Sequence, residues 1–171
     1  MTEPTLDTGI TTDIYPMPAF VTIESSNLDR TVDFFVNGLD FVSLFTLPGP
    51  GGAPALVHLR RWRYQDILVV PGAPQPGTGW SISMAAVAED LPALAARASA
   101  HGDNTVDGPR DTPWNTREVT VTDPDGYRIV FTAQRPAGER DEAFSTAITR
   151  MAAEQHAGTR TPGGNPEGGR P

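Results

Sequence analysis

Two stretches of the chain repeat one pattern of apolar and polar positions. In the first, Phe20-Val-Thr-Ile-Glu24 alternates strand-favouring residues. Ser25, Ser26 and Asn27 then offer helix caps, and Leu28, Val32 and Phe35 fall on one helical face before Gly38. In the second, Trp80–Ala88 is the extended run and Asp90 the cap. Leu91, Leu94, Ala95 and Ala98 form the apolar face, Pro92 sits in the first turn where proline is tolerated, and Gly102 closes the helix. Asn27 aligns with Asp90, Leu28 with Leu91, Val32 with Ala95 and Phe35 with Ala98, all at an offset of 63.

Each expected helix, 28–37 and 91–101, is followed by three strand candidates. They are Phe41–Leu47, Pro54–Arg61 and Gln65–Val70 in the first copy, and Asn104–Val106, Arg117–Thr122 and Tyr127–Ala133 in the second. Asp123-Pro-Asp-Gly126 between the last two is a hairpin turn, because proline presets one turn residue and glycine supplies a positive φ. The pattern predicts an α+β fold with two tandem βαβββ modules, residues 18–70 and 79–134, in one domain spanning 18–134. The helices cover the convex side of a curved mixed sheet, and alternate strand residues line a concave cavity.

The flanks read differently. Residues 1–17 form a flexible arm with scattered apolar positions. In 135–171, a helix over 139–154 carries Ala143, Phe144, Ala147, Ile148 and Met151 on one face. That stripe packs back on the domain, braces a dimer or docks on a partner. The closing GTRTPGGNPEGGRP has nothing to anchor a core and reads as a disordered tail.

Composition narrows the function. With 13 basic and 21 acidic residues the formal charge is −8, which argues against nucleic acid or an anionic membrane as partner. There is no cysteine, which excludes disulfides, thiolate nucleophiles and cysteine-held metals. Without a membrane-length apolar run or the blocks of a signal peptide, the chain reads as cytoplasmic. Gly49–Gly52 lies in a Pro-rich loop without the following Lys and helix of a phosphate cradle.

The strand with Asn27-Leu-Asp-Arg-Thr-Val-Asp-Phe-Phe35, the second strand with Glu89-Asp-Leu91, and Pro113-Trp-Asn-Thr-Arg-Glu-Val-Thr-Val-Thr-Asp-Pro-Asp-Gly126 resemble the vicinal oxygen chelate superfamily. That superfamily contains glyoxalase I, bleomycin-binding resistance proteins and extradiol dioxygenases. The resemblance implies metal ligands, His, Gln or Glu, on the first and fourth strands of each module. Here those positions carry Phe20, Ser83, Val130 and, with a slip of one allowed, Leu68. None of these side chains suits a divalent cation, so no metal and no cofactor is expected. The likeness is greatest to the metal-free, bleomycin-resistance-like branch. That implies a homodimer which sequesters a drug by aromatic stacking and performs no reaction.

The candidate ligand-binding residues follow from strand phase and ring chemistry. Phe20, Thr22 and Glu24 share one phase of the first strand, Ser83 and Val130 take the vacated ligand positions, and Glu118 is expected on the cavity side. Trp62, Tyr64, Trp80 and Trp114 lie at strand ends, where flat rings stack on planar ligands. His58 is either a hydrogen-bonded sheet histidine or a ligand-binding one, and with Glu24 it could act as acid and base. Ser83 has no neighbouring base or elbow motif to make it a nucleophile. Arg117, in the opposite phase to Glu118, is expected to pair structurally. No catalytic residue is assigned. The leading reading is a protein that binds a planar or aromatic natural product, such as an antibiotic. The alternative is a divergent metal-dependent lyase, thiol transferase or dioxygenase of the same superfamily.

Overall fold

The computed structural model describes residues 12–17, 19–77 and 79–158. The first module runs β1 (Val21–Ser25), α1 (Leu28–Asp33), β2 (Val42–Pro48), β3 (Pro54–Arg60) and β4 (Asp66–Pro71). The second repeats it as β5 (Ile82–Ala85), α2 (Leu91–Ser99), β6 (Thr105–Asp111), β7 (Thr116–Thr122) and β8 (Arg128–Gln134), and α3 (Glu142–Gly158) follows. The strands form two four-stranded mixed sheets, ordered β1-β4-β3-β2 and β5-β8-β7-β6. In each, the first and last strands of the module run parallel and the other pairs antiparallel.

Alternation decides which face is covered. Ile23, Val57, Leu59, Ile67 and Val69 of one sheet and Ile82, Met84, Val119, Val121, Ile129 and Phe131 of the other are buried. They belong to one cluster with Phe34, Phe35, Leu39 and Phe41 of the first module and Leu91, Leu94, Ala95 and Ala98 of α2. Burying each of the larger side chains contributes about 2–3 kcal/mol.

Four elements differ from the sequence-based expectation. Regular α-helix ends at Asp33, not at residue 37, and Phe34–Gly38 continues as a π-turn. Both rings of the consecutive pair Phe34 and Phe35 are buried, edge-on to each other with centroids 6.0 Å apart. Asn27 caps α1, its Oδ1 accepting the Arg30 N–H at 3.1 Å. Asp90 makes no side-chain cap, because its backbone is already helical and its carbonyl accepts from Leu94. The extended run 80–88 contains only four strand residues, whereas the segment 104–106 grows into the seven-residue β6. Gly108-Pro109 would normally break such a strand. The ladder skips them in a bulge between Asp107 and Arg110, where Gly108 adopts φ 105° and a Cβ would strike the Glu118 carbonyl.

Reciprocal clasps tie the modules together. Asp125, in the β7–β8 turn, accepts from Ser26 Oγ at 2.6 Å, Arg30 Nη2 at 2.7 Å and Thr31 Oγ1 at 2.9 Å. The Tyr127 hydroxyl accepts the Glu24 N–H. In return, Arg61 Nη1 and Gln65 Nε2, flanking the β3–β4 turn, both donate to the Ala85 carbonyl, at 3.0 and 2.9 Å. The Arg61 guanidinium lies 4.3 Å from the Trp62 ring and 5.0 Å from that of Phe131. Its burial lowers its pKa to about 10.

The Asp-Pro-Asp-Gly turn carries an opposed pair of titrations. Burial raises Asp125, but hydrogen bonds from Ser26, Ser25 and Thr31 and the charge of Arg30 hold it net below the ordinary value. Burial pushes Asp123 up to about 6, although the Tyr127 and Asp125 amides donate to it. A raised folded pKa means that Asp123 favours folding below about pH 3.8, and that this contribution is lost as pH rises through about 6. The stability of the wild-type chain relative to Asp123→Asn should therefore fall by up to about 3 kcal/mol between pH 4 and pH 8. Denaturant melts across that range measure it, and a difference independent of pH would contradict the assignment.

The C-terminal segment docks through Asn115. Its Oδ1 accepts the Asp141 N–H at 2.7 Å, and its Nδ2 donates to the Asp141 carbonyl and to Ser145 Oγ. Arg117 pairs with Asp111 and Glu139. Its hydrogen bond holds the Asp111 carboxyl below the usual range. On the apolar stripe of α3, Phe144 and Ala147 are half-buried while Ile148 and Met151 are exposed. The helix expected over 139–154 runs instead from Glu142 to Gly158, taking in the first residue of the expected tail 158–171. The rest of that tail, the His156 side chain and residues 1–11 of the arm lie outside the described residues.

Candidate functional site

The faces of the sheets opposite the core are where a ligand can be met, and register shows who shares them. On the first sheet Thr22 stands beside Leu68, Glu24 beside Val70, and His58 across from Leu68. On the second, Ser83 stands beside Val130, Thr120 across from Val130, and Glu118 across from Thr132. Phe20, Thr22, Glu24 and Ser83 are exposed, and Val130 is buried within its sheet.

The second sheet carries the more developed site. Glu118 Oε1 accepts from Thr116 Oγ1 at 2.8 Å, Thr132 Oγ1 at 3.2 Å and Trp114 Nε1 at 3.3 Å. Those donors fix the carboxylate and tether the indole, whose ring remains 55% exposed. The tight turn before β7, with Asn115 at φ 65°, and the Thr112–Thr116 hydrogen bonds hold Trp114 out from the sheet. A hollow of about 530 Å³ is lined among others by Ala85, Thr116, Thr132, Gln134 and Arg140, so the two threonines that donate to Glu118 border it. A second of about 240 Å³ is lined by Trp114, Glu118, Arg110 and Arg128. The larger volume falls in the range of small-molecule pockets. The chemistry offered is an aromatic face, one fixed carboxylate, hydroxyls and flanking guanidinium groups. It can stack and orient a planar molecule.

The first sheet carries a buried polar cluster that sequence reasoning did not anticipate. Asp66 Oδ1 receives His58 Nε2 and Arg60 Nε, each at 2.7 Å, and all three side chains are almost wholly buried. Tyr15, from the segment before β1, donates its hydroxyl to Asp66 Oδ2 at 3.1 Å. His58 is a buried, hydrogen-bonded sheet histidine on the phase opposite the core, with Phe45 edge-on at 5.1 Å. An aspartate opening an apolar strand demands buried partners, and that was the available signal. Tyr15, 51 residues away, carried none.

The remaining rings are spread out. Trp62 is buried beneath Arg61. Tyr64 is exposed and edge-on to Tyr15. Trp80 packs on Tyr127 at 5.9 Å and over Gly77. Glu24 lies against Gly72 rather than in hydrogen-bond contact with His58.

Register also refines the positions where the fold family would place metal ligands. Ser83 stands level with Val130, and its counterpart level with Leu68 is Thr22, with Phe20 two residues earlier on the same face. Thr, Leu, Ser and Val are no donor set for a divalent cation, and replacing Thr22 by Phe20 does not help. Among the described residues, no group of three or more His, Asp or Glu side chains is arranged to hold one. The residues present do not fit the metal.

Two βαβββ modules with open sheet faces define a fold class, and comparison with known proteins agrees. Residues 19–131 match the Glyoxalase/Bleomycin resistance protein/Dioxygenase superfamily. The chain belongs to that superfamily. No curated protein matches it by sequence. Among solved structures, it resembles the fosfomycin resistance protein FosX from Listeria monocytogenes at 17% identity and TM-score 0.57, over 75% of this chain and 100% of that one. TnmS3, an antibiotic binding protein from Streptomyces sp. CB03234, is 23% identical with TM-score 0.53, over 73% and 99% of the chains. TioX from Micromonospora sp. ML1 is 23% identical with TM-score 0.51, over 70% and 97%. At these identities the likeness concerns the fold.

Proposed function

We propose that this protein binds a small planar aromatic molecule, a natural product of the antibiotic kind, and holds it without transforming it. The observation that carries the reading is the open face of the second sheet. Trp114, tethered to Glu118, lines a hollow of about 240 Å³, and Thr116 and Thr132 on the same carboxylate border another of about 530 Å³. The family's metal-ligand positions hold Thr, Leu, Ser and Val, which are no donor set for a divalent cation. Stacking on an exposed indole contributes on the order of 1 kcal/mol beyond burial, and the fixed carboxylate orients a donor group on the guest. A relative of the same fold described as an antibiotic binding protein supports this class of guest. The reading includes a homodimer, as the resemblance to bleomycin-binding proteins implies, and a cytoplasmic location. The alternative of a metal-dependent lyase, thiol transferase or dioxygenase would need ligands outside the family's places.

Calorimetric titration against a panel of polycyclic and glycopeptide antibiotics tests it. At least one planar compound should bind more tightly than about 100 µM and be recovered chemically unchanged. Trp114→Ala should weaken that binding about tenfold. Absence of any binding in the panel, or conversion of the bound compound, would overturn the proposal.

A further inference from the structure

The polar cluster on the first sheet has the form of a receptor for a phenol, and it is filled from within the chain. Tyr15 contributes a ring whose centroid lies 4.1 Å from the Arg60 guanidinium carbon and 5.4 Å, edge-on, from the Tyr64 ring centroid. Its hydroxyl donates to Asp66 Oδ2 at 3.1 Å and accepts the Tyr64 N–H at 2.9 Å. A phenol presents one donor, one acceptor and a π-face, and each is answered here by a separate group. Tyr64 holds φ 66°, unusual for a non-glycine residue, and in that conformation its amide bonds the phenolic oxygen. Asp66 and Arg60 are fully buried and held by each other and by His58, so two walls of the receptor are built by the sheet itself.

The occupant comes from an irregular segment. Residues 12–17 have no regular secondary structure, and Ile14 beside Tyr15 is 73% exposed. Besides the Tyr15 contacts, the Asp13 carbonyl accepts from Arg60 Nη1 at 2.9 Å. The segment lies on the ligand-facing side of its sheet, because Arg60 and Asp66 share the phase of His58 and Leu68.

We infer that Arg60, Asp66 and the Tyr64 amide form a binding site for the phenolic ring of a small molecule, and that Tyr15 is its built-in competitor. A phenolic guest displaces Tyr15 and lifts residues 12–17 from the first sheet. This rests on the reading that the open faces take planar guests, and it specifies a phenol as the guest's chemistry there.

The test uses 2-naphthol, with naphthalene as the control lacking a hydroxyl, titrated into the full chain and its Tyr15→Ala and Tyr15→Phe variants. Tyr15→Ala should bind 2-naphthol at least tenfold more tightly than the wild type, and more tightly than naphthalene. Tyr15→Phe keeps the ring but loses both hydroxyl bonds, and should gain a smaller factor of about threefold, which serves if the alanine variant does not fold. In the wild-type chain, saturating 2-naphthol should speed amide hydrogen exchange in residues 13–17 while leaving β1 protected. Equal affinity in all three proteins, equal binding of naphthalene, or 2-naphthol bound without release of the arm would each overturn the inference. If those results appear while a planar antibiotic still binds the wild type, the function proposed above stands and this site fails. The reverse pattern separates the two in the other direction.

Discussion

Replacing Asp66 by alanine should destabilise the fold by about 3–5 kcal/mol, the cost of leaving a buried charge without its counter-ion. Arg60 has a side chain with no exposed surface, and its Nε donates to Asp66. His58 Nε2 loses the same acceptor, and Tyr15 loses the carboxylate that receives its hydroxyl. Urea or thermal melts measure the effect, with a fall in midpoint on the order of 10 °C. Asp66→Asn, which keeps one acceptor oxygen, should lose less. A melt of Asp66→Ala indistinguishable from the wild type would show that the cluster contributes nothing to stability.

The second large effect is expected at the clasp between modules. Asp125 receives three side-chain donors, and its own side chain is 2% exposed. Hydrogen bonds to a charged group contribute about 1.5–3 kcal/mol net. Asp125→Ala should therefore cost about 2–3 kcal/mol, strip Thr31 of a buried partner and loosen the joint between β1 and the β7–β8 turn. The sign with pH is opposite to that of Asp123. A carboxylate held below its ordinary pKa stabilises the fold above that value and loses the contribution as pH falls. Melts of wild type and Asp125→Ala should converge in acid, and parallel pH profiles would contradict the clasp.

Much of this architecture was legible in the sequence, for reasons that can be traced to particular residues. The period of Leu28, Val32 and Phe35 against Leu91, Ala95 and Ala98 marked the repeat, because each helix must bury one stripe. The Asp-Pro-Asp-Gly turn marked the last hairpin. Its second role, receiving Ser26, Arg30 and Thr31 from the other module, depends on contacts nearly a hundred residues apart, and no local period encodes them. The strand phases of Thr22, Glu24, Ser83 and Glu118 followed from alternation. The level of β1 against β4 did not. The caps Asn27 and Asp90 are 63 apart, but Thr22 and Ser83, which stand level with Leu68 and Val130, are 61 apart. The loop from β5 to α2 is longer than that from β1 to α1, so the cap offset of 63 matches Ser83 to Phe20, two residues before Thr22. Trp62 shows the same limit in a side chain. A ring at a strand end can stack on a guest, yet here Arg61 turns inward to Ala85 and covers it.

The two open faces now divide the work in physical terms. The second presents an indole and a fixed carboxylate that line a hollow of about 240 Å³, and the first presents a charged cluster covered by Tyr15. Among the described residues, neither assembles the oxygen and nitrogen donors that the superfamily's metal chemistry requires.

The proposed grip on a guest is by ring and shape, without a cation. It is tested most directly by paired calorimetric titrations of one planar antibiotic into protein purified without chelator and into the same protein after exhaustive chelation. Affinity and stoichiometry should be the same in both, with Trp114→Ala weakening each about tenfold. Binding that disappears on chelation and returns with zinc, manganese, nickel or iron would contradict it.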